Sequence, residues 1–146
     1  MQKTYYPKPN EITSEWVLVD ANNQTLGRLA ATIARLILGK HKPNFTPGVE
    51  TGDYVIVVNA RHIQATGNKM VDKIYYHHTG YPGGIKSISL RQQLQDHPDR
   101  ALRRAVWGML PHNKTGRRLI KKLKIYPESE HPHDAQNPKP FASMQA

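Results

Sequence analysis

The amino-acid sequence predicts a single α/β domain, and three segments support this prediction. Residues 16–20 (WVLVD) and 54–59 (YVIVVN) are short apolar runs rich in β-branched and aromatic residues, as expected for buried strands of a parallel sheet. Between them, residues 25–38 repeat apolar side chains at helical spacing. A strand, a helix and a second strand in succession are typical of an α/β domain.

The composition is that of a globular and strongly basic chain. Its 146 residues carry a formal net charge of +10, with 38% hydrophobic and 22% charged residues, which suits one domain with a modest core. The chain contains no cysteine, so disulfides and cysteine-ligated zinc are excluded. It shows neither an apolar N-terminal run nor about 20 consecutive apolar residues. We therefore expect neither a secretory signal nor a membrane span. We recognise no transit peptide, so the expected location is the cytoplasm rather than an organelle.

The N-terminal half contains the main predicted core elements. Residues 1–15 are expected to form an irregular arm, because Pro7 and Pro9 disfavour regular structure. Thr25 is the predicted N-cap of the first helix and Gly39 its C-terminal stop. Residues 54–59 have the strongest strand pattern, and we expect this strand to be central in the sheet. The predicted apolar stripe of the helix consists of Leu26, Leu29, Ala30, Ile33, Leu36 and Ile37.

Shorter elements follow. Residues 63–66 are compatible with a strand, and residues 73–78 predict a β segment that leads into a flexible glycine-rich loop at 79–84. Ser89 and Gln92 form a capping-box pattern, which opens a short helix reaching about residue 95. Pro98 suits the first turn of the next helix.

The C-terminal end predicts one more strand and then a tail. Residues 125–126 are the predicted last strand. Residues 127–146 contain four prolines and few apolar side chains, so we expect an extended or disordered tail. The predicted domain therefore covers residues 16–126.

Residues 100–124 hold most of the excess charge. On a helical wheel, residues 101–110 and 115–124 each place apolar side chains on one face and cations on the other. A solvated helix usually mixes both signs of charge, whereas this segment contains no Asp or Glu. We therefore interpret the two predicted helices as phosphate-contacting rather than merely solvated. The nine cations are Arg100, Arg103, Arg104, Lys114, Arg117, Arg118, Lys121, Lys122 and Lys124.

Other basic and aromatic positions add candidate contacts. The loop at 40–42 (KHK) follows the first helix. Its cations either bind phosphate or only interact favourably with the negative C-terminal end of the helix dipole, and we favour phosphate. Aromatic, histidine and glycine residues at 75–84 suit RNA contact. Trp107 lies on the cationic side of its wheel, where a base stack and an internal contact are equally open readings. The predicted RNA-binding residues are Lys40, His41, Lys42, Lys69, His77, His78, Arg103, Arg104, Lys114, Arg117, Arg118, Lys121, Lys122 and Lys124.

Catalytic, cofactor and metal sites are not expected. The turn at 20–27 (DANNQTLG) contains neither of the glycine-rich nucleotide-binding patterns. Asp53 lacks an evident second carboxylate, so we predict a turn or capping role rather than a catalytic base. His77 and His78 are adjacent on a strand and point to opposite faces, which makes a poor chelate. His131 and His133 lie in the predicted tail, which rarely supplies the packed surroundings of a specific metal site.

Several motifs, taken in order, resemble a known family. They are WVLVDANNQTLGRLA, GKHKPNFTP, TGDYVIVVNA, TGNK, YYHHTGYPGG, AVWGMLPHNKTGR and KKLKIYPESEHPH. Together they resemble the bacterial ribosomal protein thirteen of the large subunit, the universal L-thirteen family, over roughly residues 16–136. The segment GMLPHNKTGR followed by KLKIY is the most specific part. One departure is Thr115, where the family usually has Leu, and the expected effect is a looser local contact.

The resemblance implies more than the composition does. It implies a three-layer α/β/α domain around a small, mostly parallel sheet, with large-subunit ribosomal RNA and neighbouring ribosomal proteins as partners. It implies a structural role early in subunit assembly, with no catalytic activity, cofactor or small-molecule substrate. Two alternatives stay open on the residues alone. One is a small nucleotide-dependent or RNA-processing enzyme, and the other is an extra-ribosomal regulator that binds messenger RNA or DNA.

Overall fold

The computed structural model describes residues 3–141, which form a four-stranded sheet, a two-stranded hairpin and the helices around them. The strands are β1 Trp16–Asp20, β2 Tyr54–Val58, β3 Ile74–His78, β4 Ile85–Ser89, β5 Leu123–Ile125 and β6 Lys139–Pro140. The α-helices are α1 Leu26–Leu38, α2 Lys69–Asp72, α3 Leu90–Asp96, α4 Pro98–Met109 and α5 Lys114–Leu119. Short 3-10 helices cover Pro9–Glu11, Ala60–His62, Ile120–Lys122 and Asp134–Gln136.

The four-stranded sheet has the strand order β5–β2–β1–β6, and all its neighbouring strands are parallel. Val17 pairs with Val55 and Val19 with Val57, and these four side chains are buried. Their alternation along the strands places them on one face of the sheet. Strand β2 lies between β1 and β5, which confirms the prediction that residues 54–59 are central.

Helix α1 packs its apolar stripe into the core. All six predicted stripe residues are buried, because the helical period brings them onto one face. Gly39 ends the helix in the left-handed conformation, with φ at 82°. Thr25 precedes the helix, but its side chain makes no capping hydrogen bond. Instead, Thr25 forms an isolated parallel bridge with Gln64, and this bridge is the β structure found in the predicted strand at 63–66.

Helical elements lie on both sides of the sheet, which confirms the α/β class and the small, mostly parallel sheet. On one side, α4 packs against both α1 and α3. On the opposite side, Trp16 stacks on Tyr54 with ring centroids 4.5 Å apart. The ring of His133 lies 5.3 Å from Trp16, just before the last 3-10 helix. No helix within residues 3–141 is long and apolar enough to cross a membrane.

The described parts of the arm and the tail both pack beside β1. Lys139 in β6 pairs with Val17, and its ammonium lies 3.1 Å from a carboxylate oxygen of Glu15. The predicted arm and tail also include residues 1–2 and 142–146, which lie outside the described residues. The division into an arm, a domain and a tail stays a prediction.

The two-stranded hairpin contains one predicted and one unpredicted strand. The β segment expected at 73–78 is found as β3, which pairs antiparallel with β4. Strand β4 was missed because its exposed, alternating residues carry no buried apolar pattern. The loop at 79–84 is the connection of this hairpin and is closed by a hydrogen bond from Thr79 N to Gly84 O. Both predicted helix starts that follow are confirmed, since Ser89 caps α3 and Pro98 opens α4.

The prediction of one helix over residues 115–124 is wrong in its second half. Helix α5 ends at Leu119 and is followed by a 3-10 turn and by β5, which pairs with β2. The last strand therefore begins earlier than the predicted residues 125–126. Parallel pairing with the central strand satisfies the backbone groups of residues 123–125, and this outweighs the helical pattern. Lys122 and Lys124 consequently lie outside any cationic helix face.

Candidate nucleic-acid interface

Helix α4 presents arginines to solvent because its opposite face is fixed in the core. Ala101, Leu102 and Val106 are buried, and the helical period then turns the arginines at 100, 103 and 104 outward. This arrangement confirms the apolar and cationic faces predicted for residues 101–110, except that Met109 of the predicted apolar face is exposed.

Helix α5 approaches the end of α4 closely, and this places its cations beside those arginines. The Asn113 side chain accepts a hydrogen bond from the backbone N–H of Gly116 at 2.8 Å and so caps the helix. A Cβ atom at Gly116 would lie 1.7 Å from the carbonyl oxygen of Pro111, so only glycine permits this approach. Leu119 is buried, while Arg117 and Arg118 are exposed.

The exposed cations of α4, α5 and the following turn form one candidate interface, which we call the basic surface. Among the residues that the structure describes, only one of its cations has a carboxylate oxygen within 4 Å. This cation is Arg118, at 3.6 Å from Glu50, and such an exposed pair contributes little. The repulsion among the remaining cations is uncompensated, which favours a polyanionic partner. The basic surface consists of Arg100, Arg103, Arg104, Lys114, Arg117, Arg118 and Lys121.

A cleft of about 580 Å³ opens within the basic surface, between α4, α5 and the hairpin strand β3. Its walls include the aromatic side chains of Tyr75 and Trp107. The Arg104 guanidinium lies over the Tyr75 ring, 4.9 Å from its centroid, and the Lys73 ammonium lies at 5.5 Å. Burial raises the pKa of the Tyr75 hydroxyl, and the charge of Arg104 opposes that rise. The cleft therefore combines aromatic walls with guanidinium groups.

Trp107 makes an internal contact and also faces the cleft. Its indole stacks on the His112 ring, with centroids 4.8 Å apart and planes at 5°. A ring nitrogen of His112 lies 3.1 Å from the carbonyl oxygen of Trp107. The internal contact that we gave as one of the two readings of Trp107 is therefore present. Trp107 also lines the cleft.

The basic loop at 40–42 is organised around a buried carboxylate. The Asp53 side chain is fully buried and lies 2.7 Å from His41 Nε2 and 2.5 Å from Lys42 Nζ. It also accepts the backbone N–H of Glu15 at 2.9 Å, while Lys42 Nζ donates to Thr13 O at 2.6 Å. The predicted turn or capping role of Asp53 is therefore wrong, and its carboxylate is the centre of an ion-pair cluster. Only the tertiary structure brings residues 13–15, 41–42 and 53 together.

Lys122 is also turned inward. Its ammonium donates to Gly52 O at 2.9 Å and lies 5.2 Å from the Tyr54 ring centroid. Burial lowers the pKa of Lys122, and the charges of Glu50 and Asp53 partly offset this effect. Lys122 is therefore buried and hydrogen-bonded internally, contrary to its predicted place at the edge of an exposed helix face.

Comparison with known proteins identifies the family. Residues 14–132 match the sequence model of the family described as Ribosomal protein L13. The chain belongs to this family. A protein named large ribosomal subunit protein uL13 from Thermotoga maritima is 54% identical over 141 residues, which cover 97% of this chain and 95% of that protein.

Two further relatives carry the same name. The protein from Geobacter sulfurreducens is 55% identical over 139 residues, covering 95% of this chain and 97% of its own length. The protein from Chloroflexus aurantiacus is 56% identical over 139 residues, covering 95% and 96% respectively. Family membership confirms the resemblance seen in the motifs, and it places the chain among structural ribosomal proteins rather than enzymes.

The L13 fold separates the predicted RNA-binding residues into three groups. The exposed cations at 103, 104, 114, 117, 118 and 121 lie together in the basic surface. Lys40, Lys69, His77 and His78 are exposed elsewhere, and His78 Nδ1 accepts the backbone N–H of Gly80 at 2.9 Å. The third group is buried or half-buried, and it comprises His41, Lys42, Lys122 and Lys124. Arg100 was not among the predicted RNA contacts, although it belongs to the run of cations at residues 100–124 and could have been included on that ground.

Proposed function

We propose that this chain is a structural constituent of the large ribosomal subunit and binds ribosomal RNA through the basic surface. The observation that supports this most directly is the group of seven exposed cations on adjoining elements, of which only Arg118 has a nearby carboxylate within residues 3–141. Membership of the L13 family sets the expected partner as ribosomal RNA. The sequence contains neither of the glycine-rich nucleotide-binding patterns that would point to a different chemistry.

The physical mechanism is electrostatic and steric. The folded core holds α4 and α5 at a fixed separation, so their cations meet phosphates of RNA segments that otherwise repel each other. Phosphate contacts determine position and orientation, while the shape of the folded RNA determines specificity. Such neutralisation brings RNA segments together early in subunit assembly, which is the role that we assign to this chain.

The internal contacts refine the set of expected RNA contacts. Lys42 and His41 hold the loop at 40–42 and the arm together through Asp53, and Lys122 is bonded to Gly52. We therefore assign these three cations to folding and to positioning of the surface. Within this proposal the RNA is contacted directly by the basic surface and by the exposed Lys40, Lys69, His77 and His78. Lys124, which is half-buried, is kept as a further contact.

The proposed function also assigns the domain bounds, the protein partners and the location of the chain. Residues 16–126 act as the RNA-binding domain, and the described parts of the arm and the tail lie beside its strand β1. Neighbouring large-subunit proteins are further partners, and the site of action is the ribosome in the cytoplasm.

A charge-reversal experiment tests the proposed function. Arg117 and Lys121 are exposed and have no ion pair within residues 3–141, so Arg117→Glu with Lys121→Glu is expected to leave the fold intact. We expect this variant to abolish binding of deproteinised large-subunit ribosomal RNA in filter-binding titrations. The matched control reverses two exposed arginines on α1, Arg28 and Arg35, with the same change in net charge.

A salt titration adds a second measurement. For duplex DNA, each phosphate contact contributes about −0.9 to the slope of log K against log salt concentration. Removing two contacts by Arg117→Ala with Lys121→Ala should therefore make this slope less negative by about 2. Unchanged affinity of the reversed variant, or an equal loss in the Arg28 and Arg35 control, would show that the basic surface is not the RNA site.

A further inference from the structure

The cleft in the basic surface combines aromatic side chains with four arginines in its lining. We propose that it receives the base of a single unstacked nucleotide of the bound RNA, with the adjoining phosphates held by the arginines around its opening. This inference rests on the proposed function, because it names the part of the RNA that the same surface recognises.

The arginines around the cleft supply the first argument. Arg100, Arg103, Arg104 and Arg117 all line it. Within residues 3–141 none of these four guanidinium groups has a carboxylate oxygen within 4 Å. Guanidinium groups bind phosphate oxygens in a bidentate manner and stay charged at any physiological pH. Four such groups around one opening match the phosphates on both sides of one nucleotide better than a single isolated anion.

The aromatic walls supply the second argument. A surface that contacted only the phosphates of a duplex would need cations but no mostly apolar cleft with aromatic side chains in its walls. This cleft, at about 580 Å³, lies within the range of roughly 300–1,000 Å³ typical of small-molecule pockets. Trp107 offers an aromatic surface on which any base stacks, as single-stranded RNA does on aromatic side chains, and Tyr75 adds a second aromatic side chain to the lining.

Both aromatic rings are held in place before a ligand arrives. The Trp107 indole is stacked on His112 with planes at 5°, and the Tyr75 ring has the Arg104 guanidinium at 4.9 Å and the Lys73 ammonium at 5.5 Å from its centroid. Fixed rings lose little conformational freedom on binding, which favours affinity. The stacking partner of the indole is itself an aromatic ring, so a base that stacked on the other face of the indole would extend an existing stack.

Fluorescence of Trp107 provides a direct test. The chain has two tryptophans, so the Trp16→Phe variant leaves Trp107 as the only one. This variant is titrated with an RNA duplex and with the same duplex carrying one bulged adenosine. We expect the bulged RNA to quench Trp107 and to bind about 5- to 150-fold more tightly, which is the range for stacking of one base on an aromatic side chain. Adenosine 3′,5′-bisphosphate, a free nucleotide with both phosphates, is expected to quench Trp107 but to bind more weakly than the bulged RNA.

The Trp107→Leu variant separates stacking from electrostatics. It should lose the preference for the bulge while retaining its affinity for the plain duplex, and that retained affinity shows that the variant is folded. The Trp107→Phe variant should recover most of the preference, because it restores an aromatic face. Trp16 lies on the other side of the sheet, so a preserved preference in Trp16→Phe is the matched control.

The outcomes distinguish this inference from the proposed function. Equal affinity for both RNAs without quenching, while ribosomal RNA still binds, overturns the cleft assignment and leaves the basic surface as the RNA site. Absence of binding to ribosomal RNA and to both duplexes overturns both. Tighter binding of the free bisphosphate than of the bulged RNA shows a free-nucleotide site and overturns the assignment to RNA.

Discussion

Replacing the buried carboxylate of Asp53 by an amide tests how the arm and the basic loop are held. Asp53→Asn preserves the shape of the side chain but removes its negative charge. The Lys42 ammonium, whose side chain is only 16% exposed, then keeps a hydrogen bond to Thr13 O but has no counter-charge. The Glu15 N–H still finds an oxygen acceptor, so the charge is the main quantity changed.

The expected cost follows from the burial of the pair. Removing one partner of a buried ion pair typically costs about 3–5 kcal/mol, because the other charge remains desolvated. A domain of this size is stable by only about 5–15 kcal/mol. At about 2–4 °C per kcal/mol for a domain near 150 residues, the midpoint of thermal unfolding should fall by about 6–20 °C.

Urea unfolding followed by circular dichroism measures this cost. The matched control is Asp96→Asn, which makes the same chemical change at an exposed carboxylate and should alter stability by less than about 0.5 kcal/mol. The double variant Asp53→Asn with Lys42→Met removes both charges and should recover part of the loss. A loss in Asp53→Asn no larger than in Asp96→Asn would refute the conclusion that this carboxylate organises the arm and the loop.

Two further predictions concern the junction of α5 and the buried lysine. Gly116→Ala should be destabilising and should weaken ribosomal RNA binding, because its Cβ would lie 1.7 Å from Pro111 O and displace α5. Gly108→Ala is the control, since its Cβ meets open space, and it should stabilise α4 by about 0.5–1 kcal/mol in thermal unfolding. Lys122 has a lowered pKa in the folded chain, so between that pKa and 10.5 the unfolded chain binds more protons and stability rises with pH. The unfolding free energy of the wild type minus that of Lys122→Met should therefore increase with pH over this alkaline range. A difference that does not change with pH would contradict the assignment of a charged, buried lysine.

Much of the fold follows from local patterns. The strands at 16–20 and 54–58 and the helix at 26–38 were predictable because their apolar spacing matches the period of the element that buries them. The helix over 115–124 was predicted at too great a length, because residues 120–125 satisfy a helical wheel as well as a strand. Pairing with β2 decides between the two, and that pairing joins residues far apart in the chain. Strand β4 has no buried face, so its sequence lacks the alternation of apolar and polar residues that would have predicted a strand.

The candidate site was predictable in its charge but not in its shape. The run of cations at 100–121 is visible in the sequence, and the burial of Leu102 and Val106 on the reverse side confirms the faces of α4. The cleft was not predictable, because it needs Tyr75 from the hairpin beside Trp107 from α4. The inward direction of Lys42 and Lys122 was likewise hidden, since a lysine in a basic run has the same sequence signature whether it is exposed or buried.

The amino-acid sequence by itself determined the α/β class, the central strand β2, the cationic face of α4 with part of that of α5 and, through its motifs, the L13 family. These properties depend on residue type and on short-range spacing. The tertiary structure alone decided which cations face solvent, because burial depends on neighbours that are distant in the chain. Asp53 draws His41 and Lys42 inward, Gly52 accepts Lys122, and the arginines of α4 and α5 stay outside around a cleft. The charge run of the sequence thereby becomes a surface with seven exposed cations and an aromatic recess.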